Sequence, residues 1–160
     1  MSEQRAGIGF DSHRTSAVRM LVLGGIELHG VPGLQGFSDS DVLTHAVIDA
    51  VLGAAGLGDI GRHFPDTDPT YENADSIELL REAVSRAGAE GWRVVNVDAT
   101  VICEEPKIAP HAAEMTARLA GALGVDAARV GVKGTTNEGM GFIGRGEGMA
   151  ALAVAMLERE

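Results

Sequence analysis

Segments that alternate apolar and polar residues are interleaved along this chain with segments whose apolar residues recur at helical spacing, and no repeat, low-complexity tract or linker divides them. Two-residue and 3.6-residue periods mixed through 160 residues fit a single α/β sandwich, a mixed sheet with helices packed on one of its faces. That length is enough for one domain with a sizeable core, and the 45% hydrophobic content agrees.

The stretches "RAGIGF" and "VRMLVLGGIEL" predict strands over 5–12 and 18–28, the second turning at Gly24-Gly25. "SDSDVLTHAVIDAVLGAAGLGD" opens with Ser and Asp, which cap helices, and sets Val42, Ala46 and Leu52 at helical spacing, predicting a helix over 40–56. "LGDIGRHFPDTDP" has the Gly, Pro and Asp content of a loop, long enough to serve function. In "NADSIELLREAVSRAGAEG" Asp75 stands as N-cap with Glu78 three residues on, as in a capping box, followed by a stripe of Ile77, Leu80, Val84 and Ala87. "WRVVNVDATVIC" reads as strand, "IAPHAAEMTARLAGALG" as helix and "RVGVKGTT" as strand. The last segment, "GMAALAVAMLERE", fits either state: Ala, Met and Leu favour helix, and a Gly-rich turn before it suits a final strand.

The balance of 13 Lys and Arg against 23 Asp and Glu leaves a net charge of −10, which argues against nucleic acid as a partner, because phosphate neutralisation needs a basic surface. A polyanionic ligand would have to be held locally. No apolar run approaches a membrane span, no basic leader with an apolar core follows Met1, and one cysteine makes no internal disulfide; the expectation is a cytoplasmic protein with no membrane partner.

Asp11 and His13 lie two residues apart at the end of a predicted strand, so their side chains share one face and can converge on a metal ion. A capping aspartate beside a solvated histidine fits the same pair. His45 follows Asp41 by one helical turn and precedes Asp49 by another, so these three can share a helix face. A histidine among Ala and Val is commonly a core residue; joined to Asp11 and His13 it completes two imidazoles and a carboxylate without thiolate, the ligand set of a catalytic zinc with an open fourth position. A second cluster, "VKGTTNEGMGFIGRGEGM", offers Lys133, the hydroxyls of Thr135 and Thr136, turn N–H groups, Glu138 and Arg145, which suit a diphosphate with a divalent cation. A β-turn with incidental polar residues is the other reading. Neither a Walker loop nor a strand-to-helix G-x-G-x-x-G is present.

"GFDSH", "SDSDVLTHAVIDAVLGAAGLGDIG", "FPDTDP", "NVDATVI", "EPKIAPH" and "KGTTNEGMGFIGRGEG" follow in this order over nearly the whole chain, and together they strongly resemble the 2-C-methyl-D-erythritol 2,4-cyclodiphosphate synthase family of the non-mevalonate isoprenoid pathway. The resemblance implies a homotrimer of α/β protomers with sheets around a three-fold axis, active sites at protomer boundaries, and a strand for the C-terminal segment. It carries Asp11, His13 and His45 over as ligands of Zn²⁺ or another divalent transition metal. Ser38, the Asp59-Ile60-Gly61 turn, and Phe64, Pro65, Asp66, Thr67 and Asp68 become substrate-facing loops, Asp59 being set to meet ribose or erythritol hydroxyls. Cys103, Glu104, Glu105, Pro106, Lys107, Ile108 and Ala109 correspond to a cytidine pocket. Thr135, Thr136, Asn137 and Glu138 correspond to diphosphate contacts, with Thr136, Glu138 and Lys133 in the catalytic roles and Mg²⁺ or Mn²⁺ on the diphosphate near Glu138. Phe142 and Arg145 match a further ligand patch, where the trimer axis can hold an isoprenoid diphosphate. The small-molecule partner implied is a CDP-containing substrate.

One position departs from the family pattern. Relatives commonly carry His immediately before the Ser-Asp pair, where this chain has Phe37, which neither donates to a phosphate nor titrates. The implied reaction is a phosphorus–oxygen lyase step that closes a cyclic diphosphate and releases CMP. Two alternatives stand beside it: a zinc phosphohydrolase, with Asp41 or Asp59 as general base, and a non-catalytic trimer that binds CDP or an isoprenoid diphosphate.

Overall fold

The computed structural model describes residues Met1–Glu160. The chain starts with β1 (Glu3–Ser16), then β2 (Leu21–Leu23), β3 (Ile26–Leu28) and β4 (Gly33–Leu34). Next come α1 (Val42–Ala55), α2 (Ile60–His63) and α3 (Ser76–Ala89), followed by β5 (Arg93–Ile102), α4 (Ala112–Leu123), β6 (Val130–Thr135), α5 (Gly141–Gly144) and β7 (Gly148–Arg159). The main sheet runs β4-β1-β7-β5-β6. All its pairings are antiparallel except β5 with β6, which α4 connects as a parallel crossover.

The predicted strand over 5–12 extends at both ends to Glu3–Ser16, and the stretch 18–28 divides into a two-stranded hairpin turning on Gly24 and Gly25, both at positive φ. The loop expected around "LGDIGRHFPDTDP" contains the short helix α2 and is followed by a 3₁₀ turn at Pro69–Tyr71. The C-terminal segment is a strand. Its helix-favouring composition is overridden because β7 is the centre of the sheet, hydrogen-bonded to β1 from Glu3↔Arg159 to Arg14↔Gly148 and to β5 on its other edge. Met149, Ala151, Ala153, Ala155 and Leu157 alternate into the core.

α1 packs on β1 and β7, with α3 and α4 beside it on the same face. The approach is close because the facing residues are small. Gly7 and Gly9 of β1 lie directly beneath Ala46, Ala50 and Ala54 of α1, and a β-carbon on either glycine would sit about 2 Å from a helix carbonyl oxygen. The opposite face of the sheet is bare and partly apolar: Ile8 and Phe10 stand opposite Val154 and Leu152, and all four are exposed.

Capping fixes where the helices begin. Asp41, fully buried, takes Thr44 N–H and Gly24 N–H on one carboxylate oxygen, and Gly25 N–H and the Thr44 hydroxyl on the other. It therefore ties α1 to the β2–β3 turn, and the expectation that it shares the working face of His45 is corrected. Asp75 caps α3 by accepting from Ile77 N–H, whereas Glu78 pairs with Arg81 instead of reaching back as a capping box requires.

Candidate metal centre and substrate clefts

Alternate residues of β1 face α1, so the side that bears Gly7 and Gly9 continues into Asp11 and His13. The first turn of α1 brings His45 down onto the same spot. Asp11 Oδ2 lies 2.8 Å from His13 Nε2 and 3.0 Å from His45 Nδ1, and the two ring nitrogens are 3.2 Å apart. These three ligand atoms are the donor group that could hold a metal ion. Ligands around a tetrahedral zinc at about 2.0–2.1 Å would be on the order of 3.3 Å apart, close to the spacing found.

The hydrogen-bond network fixes which nitrogens carry protons. His13 Nδ1 is 2.7 Å from the carbonyl of Gln35, which only accepts, so Nδ1 donates and Nε2 faces Asp11 with its lone pair. His45 Nε2 donates to the hydroxyl of Ser76 at 2.8 Å, whose own proton goes to Asp39, leaving Nδ1 as the bare nitrogen. With both rings neutral, two lone pairs and a carboxylate oxygen point at one another, which is unfavourable unless a metal ion, or a proton added to a ring, sits among them; such a proton turns the contacts with Asp11 into hydrogen bonds. Burial opposes ionisation of Asp11, yet its hydrogen bonds to His13 and His45 prevail and hold it well below the usual carboxylate range. Burial likewise opposes a charge on His13, and the bond to Asp11 outweighs it and raises the imidazole.

The triad opens into a cleft of about 490 Å³. Gly36, Phe37 and Ser38 form one wall; Ile60, Gly61, Phe64, Pro65, Asp66 and Thr67 form another. Of the predicted loop residues, Asp59 and Asp68 do not line this cleft: one carboxylate oxygen of each is engaged in a cap, on Arg62 N–H and Thr70 N–H. Phe64 is held by an edge contact to Tyr71 and by the Arg86 guanidinium over its ring.

A second cleft of about 260 Å³ is lined by Cys103, Glu104, Pro106, Lys107, Ile108, Ala109, Gly134, Thr135 and Thr136. Glu105 lies outside it, in an adjoining depression with Arg145. The turn that follows is shaped by Glu104, which accepts from Gly139 N–H at 2.7 Å, and by Asn137, which donates to Met140 O. Glu138 is exposed at φ 54°, left-handed backbone that costs a non-glycine residue energy and concentrates at functional turns. Lys133 is paired with Asp98 at 2.6 Å. Arg145 pairs with Glu147, and Phe142 lines a separate hollow with Ser12, Arg14 and Glu147.

The two clefts share no lining residue. They open at the same end of the sheet: His13 is opposite Met149, Ala150 opposite Ile102, and Ile102 opposite Thr135. Three interstrand steps, or roughly 14 Å, separate them within one chain.

Sequence reasoning missed Ser76, Asp39 and the Gln35 carbonyl, the groups behind the two histidines. Asp39 falls in the Ser-Asp stretch that reads as a helix cap, Ser76 carries no reading of its own, and nothing local signals a contact across 37 positions. Neither proposed base of a hydrolase points at the triad: Asp41 is enclosed by its four donors, and Asp59 caps α2.

A family model described as the YgbB family matches residues 4–158. The chain is 60% identical over 153 residues to "Bifunctional enzyme IspD/IspF" of Anaeromyxobacter dehalogenans, an alignment that covers 96% of this chain and 39% of that one. It is 57% identical over 155 residues to the 2-C-methyl-D-erythritol 2,4-cyclodiphosphate synthase of Bordetella petrii, covering 97% of this chain and 96% of the relative. Among solved structures, the CDP complex of Plasmodium falciparum IspF superposes with a TM-score of 0.86 at 29% identity, covering 98% of this chain and 97% of the other.

Proposed function

The chain belongs to the YgbB family, and we propose that it is a 2-C-methyl-D-erythritol 2,4-cyclodiphosphate synthase. The reaction converts 4-diphosphocytidyl-2-C-methyl-D-erythritol 2-phosphate to the cyclic diphosphate and CMP, a phosphorus–oxygen lyase step of isoprenoid synthesis. The observation that carries this reading is the convergence of Asp11, His13 and His45 in a cleft, with Thr136 and Glu138 beside a second. The naming of relatives at 57–60% identity and the CDP complex of a structural neighbour support it.

The 2-phosphate oxygen attacks the β-phosphorus; the new P–O bond closes the ring as the bond from the β-phosphorus to the bridging oxygen breaks and CMP leaves with the electron pair. The nucleophile is already anionic, so the chain need supply no general base. The barrier lies in bringing two anions together and folding a flexible substrate, which makes positioning and charge neutralisation the tasks. Asp11, His13 and His45 would hold Zn²⁺, which supplies Lewis acidity and a template for the phosphate. The Glu138 carboxylate would hold Mg²⁺ or Mn²⁺ on the diphosphate. Ser38 and the 60–67 loop orient the erythritol end, Cys103–Ala109 receive the cytidine, and Thr135, Thr136 and Asn137 align the phosphates. Asp59 keeps one carboxylate oxygen for a sugar hydroxyl, Asp68 supports the loop through its cap, and Lys133 adds positive potential if it leaves Asp98. These cations answer the net charge of −10.

A homotrimer fits the split between the clefts: the triad of one copy would face the Thr136–Glu138 turn of the next, and Ile8, Phe10, Leu152 and Val154, exposed in the single chain, would be covered at the contact. Phe142 and Arg145 would then face the axis, where an isoprenoid diphosphate can bind. The cytoplasm suits the one free cysteine. Complementation tests the reading: His45→Ala and Thr136→Ala proteins, each inactive in CMP release, regain activity when co-assembled. Mixed assemblies that stay inactive would contradict a site shared between copies.

A further inference from the structure

Behind His45 stands a pair of residues that none of the roles above uses. Ser76, the first residue of α3, is fully buried, and its hydroxyl lies 2.8 Å from His45 Nε2 and 2.5 Å from Asp39 Oδ1. Asp39 Oδ2 accepts from Ser76 N–H at 2.9 Å, Oδ1 also accepts from Asp41 N–H at 3.1 Å, and the Asp39 backbone N–H donates to Ala74 O. Both oxygens of this carboxylate are therefore fixed by groups at the starts of α1 and α3. A chain of three side chains results, from carboxylate through hydroxyl to imidazole, and its far end is the nitrogen that faces Asp11.

We propose that Ser76 and Asp39 are positioning residues for the metal ligand His45, with the buried hydroxyl passing the influence of the Asp39 carboxylate to the imidazole. The inference rests on reading Asp11, His13 and His45 as a metal centre. An imidazole ligand is oriented by what its other nitrogen donates to, and an anionic acceptor makes it a stronger ligand. Here the acceptor is a serine whose own proton is committed to Asp39, so it can only accept from His45. Burial removes competing water. Ser38 Oγ is farther from the same nitrogen, at 3.1 Å, and lines the cleft, so its hydroxyl proton remains available on the ligand side. His13 differs: its second nitrogen donates to the Gln35 backbone carbonyl, and no side-chain change can remove that acceptor. Tuning of the centre by side chains is thus concentrated on His45.

The test is zinc affinity by competition with a chromogenic chelator, together with the visible spectrum of the Co²⁺-loaded protein, for wild type, Ser76→Ala, Ser76→Thr and Asp39→Asn. Ser76→Ala is expected to lose about 10- to 100-fold in zinc affinity and to shift the cobalt bands. Asp39→Asn moves both in the same direction, and Ser76→Thr, which keeps the hydroxyl, restores both. A Ser76→Ala protein that holds zinc as tightly as wild type, with unchanged cobalt bands, would overturn the inference and leave the metal centre standing. Wild type that binds neither metal would overturn the centre and the inference together. Should Ser76→Ala fail to fold, Asp39→Asn decides between the same outcomes.

Discussion

A β-carbon on Gly9 would lie 1.8 Å from the carbonyl oxygen of Ala46, so the residue after His45 rests directly on the strand that carries Asp11 and His13. This contact sets the height of α1 above the sheet and with it the reach of His45. Gly9→Ala is expected to destabilise the protein by about 3 kcal/mol and to weaken zinc binding, since the helix must rise to admit a methyl group. Gly121→Ala provides the contrast. Its β-carbon meets nothing within 4 Å, and a helical alanine there should add about 0.5–1 kcal/mol. Urea unfolding of both variants measures the difference.

Cys103 is held neutral in the fold: burial, then the charge of Glu104, pushes its thiol up to about 11. The native protein should therefore react slowly with iodoacetamide at pH 8, with the rate climbing only as the pH nears 11, while the unfolded chain reacts as an ordinary thiol. The linkage has a definite sign. The folded state keeps this proton when the unfolded state has released it, so the contribution to stability is complete below the ordinary thiol value of 9.0 and is lost as pH rises from there to about 11. Mass spectrometry of alkylated protein across pH checks the first point, and unfolding across the same range checks the second.

Much of the fold follows from local pattern. Asp75 marks the start of α3 and Gly24-Gly25 the turn of the hairpin, because caps and positive-φ glycines act within a few residues. Composition alone leaves β7 open, since its Ala and Met become a strand only through two flanking ladders; only the family resemblance indicates a strand. At the site, Asp11 and His13 were legible as a pair from strand alternation. Their meeting with His45 depends on Gly7 and Gly9 lying under α1, a packing relation that the sequence holds but no local motif displays. Asp41 shows the limit of helix periodicity: spacing aligns it with His45, and its capping bonds turn it to the Gly24-Gly25 backbone. Ser76 and Asp39 were invisible for the reason that distant contacts are.

Phe10 stands opposite Leu152 on the bare face of the sheet, and both are exposed in the single chain. If this face is covered by neighbouring copies, Phe10→Asp places a charge in the contact and lowers the oligomer to monomer, with loss of CMP release. Analytical ultracentrifugation reads the result. A Phe10→Asp protein that keeps the oligomeric state of wild type would show that the face is not the contact.

Phe37 forms part of the cleft wall next to Ser38. The nearby Arg19 guanidinium is engaged by the carbonyls of Gly36 and Ser38 and by the Ser40 hydroxyl. Arg19 does not line the cleft, and the Ser38 hydroxyl is the side-chain donor beside Phe37. Phe37→His is expected to raise kcat about tenfold, the effect of one hydrogen bond to a charged group, with little change in metal affinity. Steady-state kinetics beside zinc titration separate the two quantities.

In the proposed reaction the metal triad and the Thr136–Glu138 turn together close a cyclic diphosphate. Phosphorus NMR of the wild-type protein with 4-diphosphocytidyl-2-C-methyl-D-erythritol 2-phosphate and Mg²⁺, with and without a zinc chelator, tests it most directly. Cyclic diphosphate and CMP should appear, and the chelator should abolish both. A linear phosphate product would contradict the claim in favour of hydrolysis, and intact substrate in a folded, metal-loaded protein would contradict catalysis altogether.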